Sequence, residues 1–134
     1  MISFAAVNWL AVIAGMVVSM VLGAFWYGPL FGKTWLRMIG KTVEELEADP
    51  MDYFKTAVAS FVAMLILSLV VTSFGAQEFV DGLLVGVLTF VGFGAALTFV
   101  YTTFEGPPEN VWLLYSIYQL IVFAIMGGVF AVWA

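Results

Sequence analysis

Residues Phe25–Lys41 read FWYGPLFGKTWLRMIGK, and the break inside that stretch decides the fold. Up to Tyr27 the chain is an almost unbroken apolar run. Trp26 and Tyr27 are the amphipathic rings expected where a helix leaves a bilayer. Gly28-Pro29 then removes a backbone donor and bends the chain. Beyond it, Phe31, Trp35, Met38 and Ile39 recur at helical spacing and make one apolar face, whereas Lys33, Arg37 and Lys41 fall on nearly the opposite one. That pattern predicts a short amphipathic helix lying in the interface plane, apolar side toward lipid and basic side toward headgroups. Gly40 ends it. Thr42-Val43-Glu44-Glu45 has the form of a capping box and predicts a second short helix, acidic and wetter.

Outward from this stretch, four apolar runs cover roughly residues 4–27, 53–74, 79–103 and 111–133. Each is longer than the ~20 residues a helix needs to cross a hydrocarbon core about 30 Å thick, and none carries a charge in its middle. The runs lack the alternation of barrel strands. Only 10% of the chain is charged and 64% is hydrophobic, against about 25% charged in a soluble domain. The expected fold is therefore all-α: a single integral membrane four-helix bundle with an interfacial helix between its first and second members. Asp49-Pro50 predicts the N-terminus of the second helix, Gly75 its C-terminal cap, and Glu105–Asn110 the turn between the third and fourth. The first run has no basic flank and is read as a retained helix rather than a cleaved signal.

All four basic residues, Lys33, Arg37, Lys41 and Lys55, lie between or beside the first two helices. The excess of positive charge on cytoplasmic loops places residues 28–52 inside and both chain ends outside. A cell membrane is expected, a bacterial inner membrane as its setting. The chain has no His and no Cys, which removes thiol chemistry, disulfides, imidazole catalysis and the common zinc ligands. No cofactor, metal or nucleic acid is expected.

The words NWLAV near the start, then LGAFWYGPLFGKTW and TVEELE, resemble the bacterial and fungal membrane family catalogued as domain of unknown function 1761. The likeness runs through Asn8, Trp9, Gly23, Trp26, Tyr27, Gly28, Pro29, Leu30, Phe31, Gly32, Lys33 and Trp35, and a Gly-rich last helix ending near Trp133 fits it. That resemblance implies the four-helix architecture and supplies no catalytic roles.

Several residues are candidates for holding lipid or another ligand. Lys33 and Arg37 are charge partners for an anionic group, with Trp26, Tyr27 and Trp35 beside them; plain interfacial anchoring explains the same residues. Polar residues gather in the basic half of the spans: Thr56, Ser60, Thr98, Tyr101, Thr102, Tyr115, Ser116, Tyr118 and Gln119. They predict either hydrogen bonds between helices or a cavity for a headgroup, with Tyr101, Tyr115 and Gln119 as its polar contacts. Small residues recur at spacings of four: Ala11, Gly15, Ser19 and Gly23, then Gly82 with Gly86, and Ala124 with Gly128. They allow close helix approach, within the bundle or between copies. Asn8 and Asp81 sit near helix ends on the side away from the basic loop, where solvated capping suits both. Glu44, Glu45, Glu47, Asp49 and Asp52 lack the spacing of a calcium loop and read as a solvated face.

Two functions remain. The first is a non-catalytic membrane module, a homo-oligomer or accessory subunit, that holds lipid or a small amphiphile. The second is a passive channel or carrier for a neutral or amphipathic solute. No mid-depth ionisable group is present to couple ions, and an enzyme is the least supported class.

Overall fold

Asn8 begins the first long helix. Its side chain accepts the Ala11 backbone N–H at 3.1 Å and its amide nitrogen donates to the Trp133 carbonyl at 3.0 Å, so one residue caps the first helix and ties it to the end of the last. The computed structural model describes residues 2–46 and 49–133. Within them α1 (Trp9–Phe25) runs into a wide turn, Trp26–Leu30, and then α2 (Gly32–Ile39); α3 (Pro50–Ser73) follows a single 3-10 turn at Glu44–Leu46. Helix α4 (Phe79–Thr89) continues through a second wide turn, Phe90–Ala95, into α5 (Ala96–Phe104), and α6 (Glu109–Val132) closes the chain. Four helical stretches, Trp9–Leu30, Pro50–Ser73, Phe79–Phe104 and Glu109–Val132, are long and apolar enough to cross a membrane. The all-α four-helix architecture is as expected, and the described residues contain no strand.

Local chemistry sets the helix ends. Asp49 and Asp52 form a reciprocal capping box at 3.1 Å in each direction, with Pro50 in the first turn. Gly40 and Gly75 adopt the left-handed conformation, with φ of 68° and 74°, that a C-terminal cap favours. Gly28, with φ −110° and ψ −106°, is the kink that separates α1 from α2.

Helix α6 touches every other long helix, and its closest neighbour is α4. A Cβ on Gly82 would overlap the Gly127 carbonyl oxygen, one on Gly86 the Phe123 carbonyl oxygen, and one on Gly127 the Gly82 carbonyl oxygen. The two backbones are thus in direct contact, which is how helices gain packing energy in lipid without a hydrophobic drive. On the other side of α6, Ala11, Gly15 and Ser19 of α1 are buried, and Gly15 lies against Met64 and Met126. Val12, Met64, Leu67, Val71, Val122, Met126 and Phe130, each at most 2% exposed, fill the half of the bundle away from α2.

Three local expectations need correction. The apolar face of α2 does not simply lie on lipid, because Trp35 and Met38 pack against the bundle core; a face that is apolar enough for lipid is equally apolar for protein. The second short helix is only a single 3-10 turn, Glu44–Leu46, opened by the Thr42 hydroxyl donating to the Glu45 carboxylate at 3.2 Å. On α6 the backbone contact is made at Gly127, whereas Gly128 accommodates the Phe79 ring and Ala124 is only partly buried.

The α4–α6 contact has a measurable consequence. Gly86→Val should lower unfolding stability in detergent by about 1–3 kcal/mol, the usual cost of overpacking. Gly92→Ala, where nothing lies within 4 Å of the added carbon, should leave stability unchanged or raise it. Equal effects of the two substitutions on the thermal midpoint would show that no such contact exists.

Candidate functional site

Tyr118 organises the half of the bundle nearest α2. Its hydroxyl donates to the Ser19 carbonyl and lies 3.3 Å from the Ser19 hydroxyl. Gly23, one turn along α1, makes this possible, since a Cβ there would stand 2.8 Å from the Tyr118 oxygen. Trp26 is buried at 8% exposure, and its indole N–H donates to the Leu114 carbonyl at 3.2 Å. Tyr27 leaves α1 on a different face. Its ring meets Trp35 at 4.8 Å and Tyr118 at 5.9 Å, both edge-on.

Tyr27, Trp35 and Tyr118, but not Trp26, border a cavity of about 500 Å³ between α1, α3 and α6. Tyr53, Thr56 and Ser60 line it from α3, Tyr115, Tyr118 and Gln119 from α6, and Tyr27 and Trp35 close the end toward α2. A second space of about 310 Å³ shares Thr56, Ser60, Tyr115 and Gln119 with it and reaches Met64, Phe90, Gly94 and Phe123. On the far side of Tyr27 and Trp35 are two further spaces. One, of about 300 Å³, lies against Tyr101, Thr102, Pro107 and Trp112; the other, of about 350 Å³, lies under Lys33, Val43 and Leu46.

The second space exists because α4–α5 is not a regular helix. At the wide turn Phe90–Ala95 the backbone bonds span five residues instead of four, and side chains bond the carbonyls at its end. The Thr98 hydroxyl donates to the Gly94 carbonyl at 2.7 Å, and the Trp112 indole N–H lies 3.1 Å from both the Ala95 carbonyl and the Thr98 hydroxyl. Such one-turn widenings open a helix at functional positions. They are tolerated at membrane depth only where neighbours satisfy the backbone.

No charged side chain lines the 500 or 310 Å³ space among the described residues. Walls of this kind bind by apolar contact, with a few hydroxyl and amide groups setting orientation. Among the described residues no group of three His, Cys, Asp or Glu is placed to hold a metal. Of the acidic cluster, Glu45 bonds Thr42 and Asp49 and Asp52 cap α3, while Glu47 lies outside the described residues. Asp81 is exposed in the first turn of α4, where a negative charge suits the helix dipole.

The candidate residues therefore divide. Tyr27, Trp35, Tyr115 and Gln119 converge on the main cavity. Tyr101 stands at a side space and is 56% exposed, and Lys33 borders the space under the loop. Arg37 is exposed in the last turn of α2 and lines none of these spaces. Trp26 is a correction: its indole is committed to Leu114 inside the core, so it holds α1 to α6 and is not open to a ligand. Tyr53 was not among the expected site residues. The signal for it was present, since Tyr53, Thr56 and Ser60 follow at spacings of three and four and so share one face of α3.

Residues 10–131 match the model of a family described as a protein of unknown function, DUF1761. The chain belongs to this family. The match confirms the resemblance carried by LGAFWYGPLFGKTW, and it includes every residue of the cavity wall. Comparison with curated proteins found no match, and comparison with solved structures found none. The roles of individual residues in this DUF1761 chain thus rest on geometry.

Removing the Tyr118 hydroxyl tests its organising part. Tyr118→Phe should cost about 1 kcal/mol, in the range measured for hydrogen bonds between membrane helices, because it leaves the buried Ser19 groups without their partner. Tyr115→Phe, at the cavity wall, should cost less. Unfolding in mixed micelles reads both values, and equal stability of the Tyr118 variant and the parent would remove Tyr118 from this role.

Proposed function

We propose that this membrane protein is a non-catalytic module that takes one amphiphile from the leaflet beside its basic end and holds it between α1, α3 and α6. The observation that carries the reading is the contrast between the two halves of the bundle. The half near α2 contains connected spaces with hydroxyl and amide groups on apolar walls. In the other half the centre is filled by Val12, Met64, Leu67, Val71, Val122, Met126 and Phe130, and the space of about 370 Å³ at its edge, beside Ile2, Phe4, Ile66 and Phe74, offers only apolar surface. A site with one closed end suits retention better than passage, so conduction is the weaker reading: a solute crossing the bundle would have to displace this packing. Lys33, Arg37, Lys41 and Lys55 favour the cytoplasmic leaflet as the source, through the charge bias of cytoplasmic loops and attraction of about 1 kcal/mol per basic residue to an anionic surface.

The lack of His and Cys in the chain and the position of its carboxylates in loops and end turns support a role without catalysis. Ala11, Gly15, Ser19, Gly82 and Gly86 are used in packing within the chain, so the reading does not depend on an oligomer. An accessory role beside another membrane subunit is compatible with the exposed apolar faces of α4 and α5.

Native mass spectrometry of protein released from lipid nanodiscs tests the proposal. A stoichiometric bound amphiphile is expected on the parent protein and on Lys33→Ala. It should be lost from Ser60→Phe, which fills the cavity, while that variant keeps its thermal midpoint within a few degrees. A parent protein released bare, or a ligand equally retained by Ser60→Phe, would contradict the proposal.

A further inference from the structure

The walls of the main cavity restrict what the amphiphile is. We infer that its headgroup is an uncharged planar ring bearing hydrogen-bond-accepting carbonyls, the chemistry of a membrane quinone. This rests on the cavity being a ligand site, and it goes further by naming the class.

Charge is the first restriction. Among the described residues none that lines the 500 Å³ space is charged. Lys33 lies beyond the Tyr27–Trp35 wall, in the separate space under the loop. A phosphate placed among these tyrosines would lose its hydration and gain no counter-charge, which disfavours anionic glycerophospholipid heads strongly. The second restriction is hydrogen-bond polarity. Tyr118 and Thr56 already direct their hydroxyl protons to the carbonyls of Ser19 and Asp52. Gln119 donates one amide N–H to the Tyr115 oxygen, which leaves the Tyr115 proton and the second amide N–H. Among the described residues the Tyr27, Tyr53 and Ser60 hydroxyls of the wall have no protein partner, so all these protons can meet a ligand that accepts. A hydroxyl donates and accepts equally well, but so many donors on opposed walls suit a head with acceptors at both ends.

Shape is the third restriction. Tyr27, Trp35, Tyr53, Tyr115 and Tyr118 all border the same space. Tyr27 meets Trp35 and Tyr118 at 61° and 78°, while the Tyr53 and Tyr115 rings on the wall make no ring pair among the described residues. Aromatic rings stack offset or edge-to-face on a further planar ring and gain about 0.5–1.5 kcal/mol beyond area burial for each such pair. A branched glycerol head gains none of this. The adjoining 310 Å³ space, bordered by Met64, Phe90 and Phe123, then takes the first part of an apolar tail. Binding alone is proposed, with no electron transfer.

The test uses the full chain in nanodiscs loaded in turn with a decyl-substituted 1,4-benzoquinone, dioleoylglycerol and dioleoylphosphatidylglycerol, read as retained mass per protein. The expected result is a one-to-one quinone adduct, retained at least tenfold over either lipid. Gln119→Leu and Tyr115→Phe should weaken it severalfold and Lys33→Ala should leave it unchanged, with the thermal midpoint of each variant confirming its fold. Retention of dioleoylglycerol over the quinone would overturn the planar ring and leave the cavity reading standing. Equal retention of phosphatidylglycerol would overturn the uncharged head. Retention of none of the three would overturn this inference, while a different copurifying amphiphile on the parent protein would preserve the broader proposal.

Discussion

The rest of the molecule depends on the backbone contact between α4 and α6. Gly82 and Gly86 on one helix, and Gly127 on the other, let two carbonyl-lined surfaces touch where any side chain would hold them apart. A tight contact at one end of a helix pair allows the pair to separate at the other. Here the separation begins at the wide turn Phe90–Ala95, beyond which α5 packs much more loosely on α6. Thr98 and Trp112 bond the Gly94 and Ala95 carbonyls at the end of that turn. The space beside Phe90, Gly94 and Gln119 is the product of this divergence.

Polarity follows the same division. Where the helices are close, the interior is aliphatic and thioether packing, without a polar ligand surface. Where they diverge, tyrosines and short hydroxyl side chains line the gap, and each needs either a protein partner or a guest. Tyr118 has its partner in Ser19, and Trp26 has one in Leu114; these two hold α1 against α6 and keep the gap from collapsing. Helix α2 then covers the end of the bundle through Trp35 and Met38, with Lys33 and Arg37 left exposed.

Much of this was legible in the residues, and the part that was not has a physical cause. Helix lengths, Asp49-Pro50, Gly40 and Gly75 are local signals, readable because a cap acts within one turn of itself. The polar residues of the basic half were also legible as a group, since hydroxyls and amides stand out in an apolar run. Which of two neighbours faces inward was not. Trp26 and Tyr27 both suit an interface, but neighbours on a helix point about 100° apart, and the packing of α1 on α6 puts Trp26 in the core and Tyr27 on the cavity. Gly127 and Gly128 are equally small, and only the crossing of α4 and α6 selects Gly127 for backbone contact. The wide turn at Phe90–Ala95 had no such signal beyond Gly92 and Gly94.

The most direct test of a bundle hollow in one half and packed in the other uses single cysteines, which are clean reporters because the natural chain has none. In sealed membrane vesicles of known orientation, Ser60→Cys should react with a small maleimide applied from the side of the basic loop, and an added ligand should slow that reaction. Met126→Cys, in the packed half, should stay unlabelled from either side until the protein is unfolded. Labelling of Met126→Cys as fast as Ser60→Cys, or protection of Ser60→Cys in the absence of any ligand, would contradict the two-halved architecture.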